Sequence, residues 1–172
     1  MIIFGGEEKC EDGEYCSRPG NDAWALLLGT ATPMWSPLSP AGEPPSVRSG
    51  ATAVYDPVGQ RMVVYGGFDF YTIASDVWAL ELSGSPAWTP LTPAGVWPGA
   101  RVGHSAIYEP VRRQMVVFGG FGAGNETLAL ELAATPTWRV LVPGSAGAVP
   151  ARPSSRSTGA AHASGSTCSR SA

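Results

Sequence analysis

The chain has 172 residues, of which 44% are hydrophobic and 15% charged, with 22 Gly, 16 Pro and a net charge of −3. That length suits one domain, so many turn residues argue against long helices, and the acidic balance argues against a nucleic-acid binder. No apolar run approaches the roughly 18 residues of a membrane span, no basic stretch leads into an apolar one at the start, and 3 Cys are too few for a disulfide scaffold.

Residues 2–4 open the chain as an apolar strand that Gly5-Gly6 should end, since a glycine pair marks a sharp turn or a close backbone approach. Residues 7–20 then read as an acidic loop: Glu7, Glu8, Glu11, Asp12 and Glu14 stand beside Cys10 and Cys16. Carboxylates and thiolates are metal donors, yet the spacing fits neither a calcium loop nor a zinc site. No metal is expected. The loop reads as solvated, with Cys10 and Cys16 free or joined as a disulfide. Such a bond would imply an oxidising compartment and a secreted parent protein. Residues 23–28 and 35–38 read as two further strands, each carrying a Trp.

The middle of the chain holds the fullest unit, with four strands labelled a to d. Residues 50–55, rich in small side chains, are strand a, and Asp56-Pro57-Val58-Gly59 is a turn. Residues 62–65 are strand b, apolar on both faces and closed by Gly66-Gly67. Residues 76–82 are strand c, with Trp78, Leu80 and Leu82 alternating on one face. Residues 88–91 are strand d, placed at an outer edge because Pro90 cannot donate to a ladder. The next unit repeats this with strands at 103–108, 115–118, 127–132 and 138–141.

Beyond Arg152 the composition turns to Ser, Ala, Gly and Arg, with no aromatic residue after Trp138. Arg156-Ser157-Thr158-Gly159-Ala160 faintly echoes Arg48-Ser49-Gly50-Ala51, which suggests a residual strand a near 158–163 before a disordered end. The units are spaced regularly. Trp35, Trp88 and Trp138 lie 53 and 50 residues apart, and Arg48, Arg101 and Arg152 lie 53 and 51 apart. A period near 50 made of short strands is the mark of propeller blades. The expectation is an all-β arc of about three four-stranded antiparallel blades, with no helix beyond a turn or two. Residues 1–48 form a partial blade (strands b to d), 49–100 and 101–150 complete blades, and 151–172 a tail. A propeller has about 4–8 blades. The chain therefore reads as part of a larger propeller, truncated or frame-shifted.

These residues resemble the kelch repeat, in its bacterial form related to the central domain of galactose oxidase. The resemblance rests on the three Gly-Gly pairs, on Asn21-Asp22-Ala23-Trp24 and Ser75-Asp76-Val77-Trp78, on the strand-d Trp residues and on Arg101-Val102-Gly103-His104. It covers about residues 1–152. The departures are Leu128 at a strand-c Trp position and Ser49-Gly50-Ala51 for Val-Gly-His.

The resemblance implies that b–c and d–a loops share one face and bind ligands there. Candidates on that face are Arg48, Phe68, Phe70, Tyr71, Trp97, Arg101 and Phe121. The arginines could meet an acidic ligand or tie loops to neighbouring blades. The aromatic residues could meet a partner or pack under the loops. His104 is expected to pack near the channel, and His162 has no evident partner. No Ser-His-Asp set, carboxylate pair or phosphate-cradling glycine loop appears. The reading is a non-enzymatic module that binds protein or glycan, without metal or organic cofactor. The alternative is part of a galactose-oxidase-like enzyme, for which the repeats supply no Tyr-Cys pair with matching His. Open blade faces should favour self-association, with Ile2, Ile3, Phe4, Val116 and Phe118 as exposed liabilities.

Overall fold

The computed structural model describes residues 1–9, 17–29, 31–122 and 126–141. The expectations for Cys10, Cys16, His162 and residues 142–172 fall outside these. Every regular element among the described residues is a strand. The first sheet holds β1 (Ile2–Lys9), β2 (Ser17–Leu27) and β3 (Met34–Leu38) in the order β1-β2-β3. The second holds β4 (Thr52–Asp56), β5 (Arg61–Tyr65), β6 (Val77–Glu81) and β7 (Ala87–Leu91) in sequence order. The third holds β8 (Ala94–Gly95), β9 (Ser105–Glu109), β10 (Gln114–Phe118), β11 (Thr127–Glu131) and β12 (Thr137–Leu141), ordered β8-β12-β11-β10-β9. Apart from β8, consecutive strands within each sheet pair antiparallel, so these are meanders, one per sequence unit.

Two details depart from the sequence reading. Gly5-Gly6 does not end the first strand. The backbone bulges between Phe4 and Gly6 and then resumes pairing, Glu7 opposite Pro19 and Lys9 opposite Ser17. The glycines supply the positive φ that such a bulge needs, +60° and +113°. The third sheet also gains a fifth strand, because β8, from the loop after β7, pairs in parallel with β12. The bridge from Ala41 to Ala87 repeats this one sheet earlier.

Two apolar layers join the three sheets. Ile2, Phe4 and Ala23 of the first pack on Met62, Val64, Leu80 and Trp88 of the second. Val54, Val63, Tyr65 and Val77 on its other face pack on Met115, Val117, Leu130 and Trp138 of the third. Strand β5 therefore serves both layers, and Met62 to Tyr65 are all buried. Among the expected liabilities, Ile3 and Phe118 are exposed, Ile2 and Phe4 turn inward to the second sheet, and Val116 is half-buried.

Candidate functional site

Alternating strand directions put the b–c and d–a loops at one end of every sheet. Their scaffold is an arginine joint. Arg48 lies just ahead of β4. Its backbone N–H donates to Gly20 O at 2.9 Å and its carbonyl accepts from Gly6 N at 3.1 Å, both in the first sheet. Its side chain reaches the second sheet instead. Nη1 and Nη2 donate to the two carboxylate oxygens of Asp76 at 2.6 and 2.9 Å, and Nη1 also donates to Gly66 O at 3.1 Å. Arg101 repeats this between the second and third sheets: Arg101 N donates to Ala74 O, Gly67 N donates to Arg101 O, and Nη2 donates to Glu126 at 3.2 Å. A side chain at Gly66 would put its Cβ 2.5 Å from Arg101 O, so the joint needs glycine there.

Both guanidiniums are buried. They tie loops to blades, and their donors are spent inside the joint rather than held out to solvent. Burial raises the Asp76 carboxyl, but the bonds from Arg48 and Trp78 prevail and hold it below its ordinary value. The acid partners were missed in the sequence, although each stands two residues before the strand-c Trp position: Asp22, Asp76 and Glu126.

His104 lies under the same face. Its Nε2 is 2.6 Å from Thr52 Oγ1, and its ring meets Tyr65 edge-on at 5.1 Å. Burial, with the Arg101 charge nearby, lowers its pKa to about 4. It is a neutral packing residue at pH 7, as expected. Tyr65 donates to Gly99 O at 2.6 Å and pins the loop before Arg101. Burial pushes its pKa up to about 12, which keeps it a donor.

The aromatic candidates divide. Phe68 is half-buried, bridged to Ser49 and Ile73. Phe70, Tyr71, Trp97 and Phe121 are exposed, Tyr71 by 91%. Phe70, Tyr71 and Phe121 stand on braced backbone. Asp69 accepts from Tyr71 N at 2.9 Å and from Thr72 N at 2.7 Å, which closes the turn that projects Tyr71. These bonds, from Thr72 and then Tyr71, also lower the Asp69 pKa. Phe70 sits at φ 76°, and its ring packs edge-on to Phe68 at 6.1 Å. Phe121 is bridged to Val102. The loops adjoin, since a Cβ at Gly122 would lie 3.6 Å from Ile73 Cδ1. No group of three or more His, Cys, Asp or Glu able to hold a metal occurs among the described residues.

A family model described as the KLHDC2/KLHL20/DRC7 Kelch-repeats domain matches residues 1–167. The chain belongs to the kelch-repeat family. Kelch-repeat domains mediate protein interactions. Adagio-like protein 1 of Oryza sativa subsp. japonica is 31% identical over 164 residues, covering 84% of this chain and 25% of that protein. Serine/threonine-protein phosphatase BSL2 of Arabidopsis thaliana is 35% identical over 179 residues, covering 92% of this chain and 17% of that protein. Multiple epidermal growth factor-like domains protein 8 of Homo sapiens is 27% identical over 146 residues, covering 81% and 5%. The kelch chain thus spans a quarter or less of the length of these curated relatives. They are plant and human proteins, and none of the three carries the bacterial or galactose-oxidase connection.

Proposed function

We propose that this chain is a non-enzymatic protein-interaction module that works through its b–c and d–a loop face, with Phe70, Tyr71, Trp97 and Phe121 as anchors. The observation that carries the reading is the set of four large aromatic side chains standing exposed at one end of the sheets, Phe70 and Tyr71 on a hydrogen-bonded turn and Phe121 on a backbone bridge. An exposed ring on a braced turn loses little freedom on binding, and aromatic residues dominate contact energy at interfaces. The opposite face offers Val58 and Val111, on the turns that follow β4 and β9, and the aliphatic Leu28 and Met34 about the β2–β3 connection. The strands are committed to packing, so loops are free to vary with the partner.

The test is a peptide-display selection on the immobilised chain, followed by affinity measurement of the selected ligand. Trp97→Ala and Tyr71→Ala should each weaken binding by about 2 kcal/mol, while Val58→Ala and Val111→Ala change little. A ligand lost in the valine variants and kept in the aromatic ones would reverse the working face. Binding on a glycan array with no peptide selected would replace the protein reading with a sugar-binding one.

A further inference from the structure

The loop face carries a sign as well as a set of rings. In the loops that hold Phe70, Tyr71, Trp97 and Phe121, the charged residues among those described are Asp69, Asp76, Arg101 and Glu126, and Arg48 joins them from the loop before β4. Solvent does not see these charges equally. Arg48 and Arg101 are 1% and 0% exposed. Arg48 donates to Ser46, Gly66 O and Asp76, and Arg101 donates to Pro98 O, Gly119 O and Glu126. Asp76 and Glu126 keep 44% and 37% of their side chains in solvent while they accept those bonds. The carboxyls of Asp69 and Asp76 are both held below their ordinary value, so they stay ionised at pH 7. A partner arriving here meets carboxylate oxygens and ring faces, with the guanidiniums already spent beneath them.

The opposite end is different. There Asp56 pairs with Arg61 and Arg113, Glu81 with Arg61, and Glu131 with Arg139. Glu109 closes its own turn, accepting from Val111 N and Arg112 N. Acids and arginines balance, and both are presented at the surface of that end.

The loop that displays Phe70 and Tyr71 is also held in an unfavourable shape. Phe70 lies at φ 76°, a state that a bulky L residue rarely adopts. Gln60 and Arg113, which also have positive φ, occupy equivalent places one residue before β5 and β10, so they belong to the repeat. Phe70 stands instead in a connection three residues longer than its counterpart, 66–76 against 119–126. Asp69 holds the turn through Tyr71 N, Thr72 N and Thr72 Oγ1. Strain of this kind persists where the display itself is useful.

Ring faces attract ammonium and guanidinium groups, and carboxylates add charge-assisted bonds and draw cations in. An acidic partner would meet like charge and find no guanidinium left to bond. We propose, on the footing of the loop-face reading, that the occupant of this face is a cationic peptide segment of a partner protein, its Arg or Lys side chains laid against Tyr71 and Phe121 and drawn in by Asp69, Asp76 and Glu126.

The test is fluorescence anisotropy of labelled peptides, pentamers of Gly-Arg, Gly-Gln and Gly-Glu, titrated with the full chain. The Gly-Arg peptide should bind at least about tenfold tighter than the Gly-Gln peptide, with the Gly-Glu peptide weakest, and added salt should weaken it. Tyr71→Ala and Phe121→Ala should each weaken it at least about fivefold. Asp69→Asn and Glu126→Gln each keep an oxygen for the bonds they accept, and should each weaken it at least about threefold. Glu81→Gln removes the same charge at the other end and should change it less than about 1.5-fold. Far-UV circular dichroism checks that each variant is folded. A Gly-Arg peptide no tighter than Gly-Gln, indifference to the ring variants, or a Glu81→Gln loss equal to that of Glu126→Gln would overturn the cationic partner. Ring-dependent binding of the Gly-Gln or Gly-Glu peptide in preference to Gly-Arg would overturn it too, yet leave the loop face standing. A Gly-Arg complex lost in Val58→Ala and kept in the ring variants would overturn the loop face itself.

Discussion

Arg48 and Arg101 hold together what the backbone alone cannot, since each bonds one sheet through its peptide groups and the next through its guanidinium. Removing one leaves an acid and a strand-end carbonyl short of a donor. Arg48→Ala should therefore lower unfolding free energy by about 2–3 kcal/mol in urea titration, discounted from a fully buried pair because Asp76 is partly exposed. Arg48→Lys should recover only part, since an ammonium cannot match both carboxylate oxygens at once. A change under about 0.5 kcal/mol for Arg48→Ala would mean that the joint holds without it. His104 makes a second prediction at this scale. Its folded pKa of about 4 lies below the ordinary 6.5 because burial opposes the charge. The unfolded chain therefore takes up the proton first, and stability present above pH 6.5 drains away as pH falls toward 4. His104→Gln should flatten that stretch of the stability profile. A wild-type profile already level between those pH values would contradict the assignment.

Elements were legible in the sequence wherever side chains declare them. The apolar run of β5 and the alternating face of β6 were read directly, within a residue or two of the observed ends. Strand β8 was missed because Ala94 and Gly95 pair through the backbone and carry no side-chain pattern. The outer part of the β1–β2 hairpin was read as a loop because its residues are polar, although Glu7 to Lys9 continue the ladder. The loop face was partly legible: exposed aromatic residues on turns were named from sequence. The fate of Arg48 was left between two readings, because Asp76 lies 28 residues away in the chain. Strand β8 is testable through Gly95, which has φ +90° and whose added Cβ would fall 2.2 Å from Trp138 O. Gly95→Ala should destabilise the chain by at least about 1 kcal/mol, more than any gain from a stiffer unfolded state. Equal thermal midpoints for Gly95→Ala and wild type would show that β8 contributes nothing.

At the scale of the whole molecule, stability should follow neighbours. In a repeat stack each blade draws its burial from the blades beside it, so a blade with two neighbours outlasts one with a single neighbour. Among the described residues only the second blade has both: its Val64 packs toward the first and its Tyr65 toward the third, and both are fully buried. The first blade has one neighbour and no strand paired to the inner edge of β1 among the described residues. Local opening should therefore be easiest there, intermediate in the third blade and hardest in β5 and β6. Amide hydrogen exchange on the chain at low concentration should give that order of protection. Uniform protection across the sheets would mean that the arc unfolds as one unit. Protection greatest in β1 and β2 would mean that the first blade is stabilised by something other than the second.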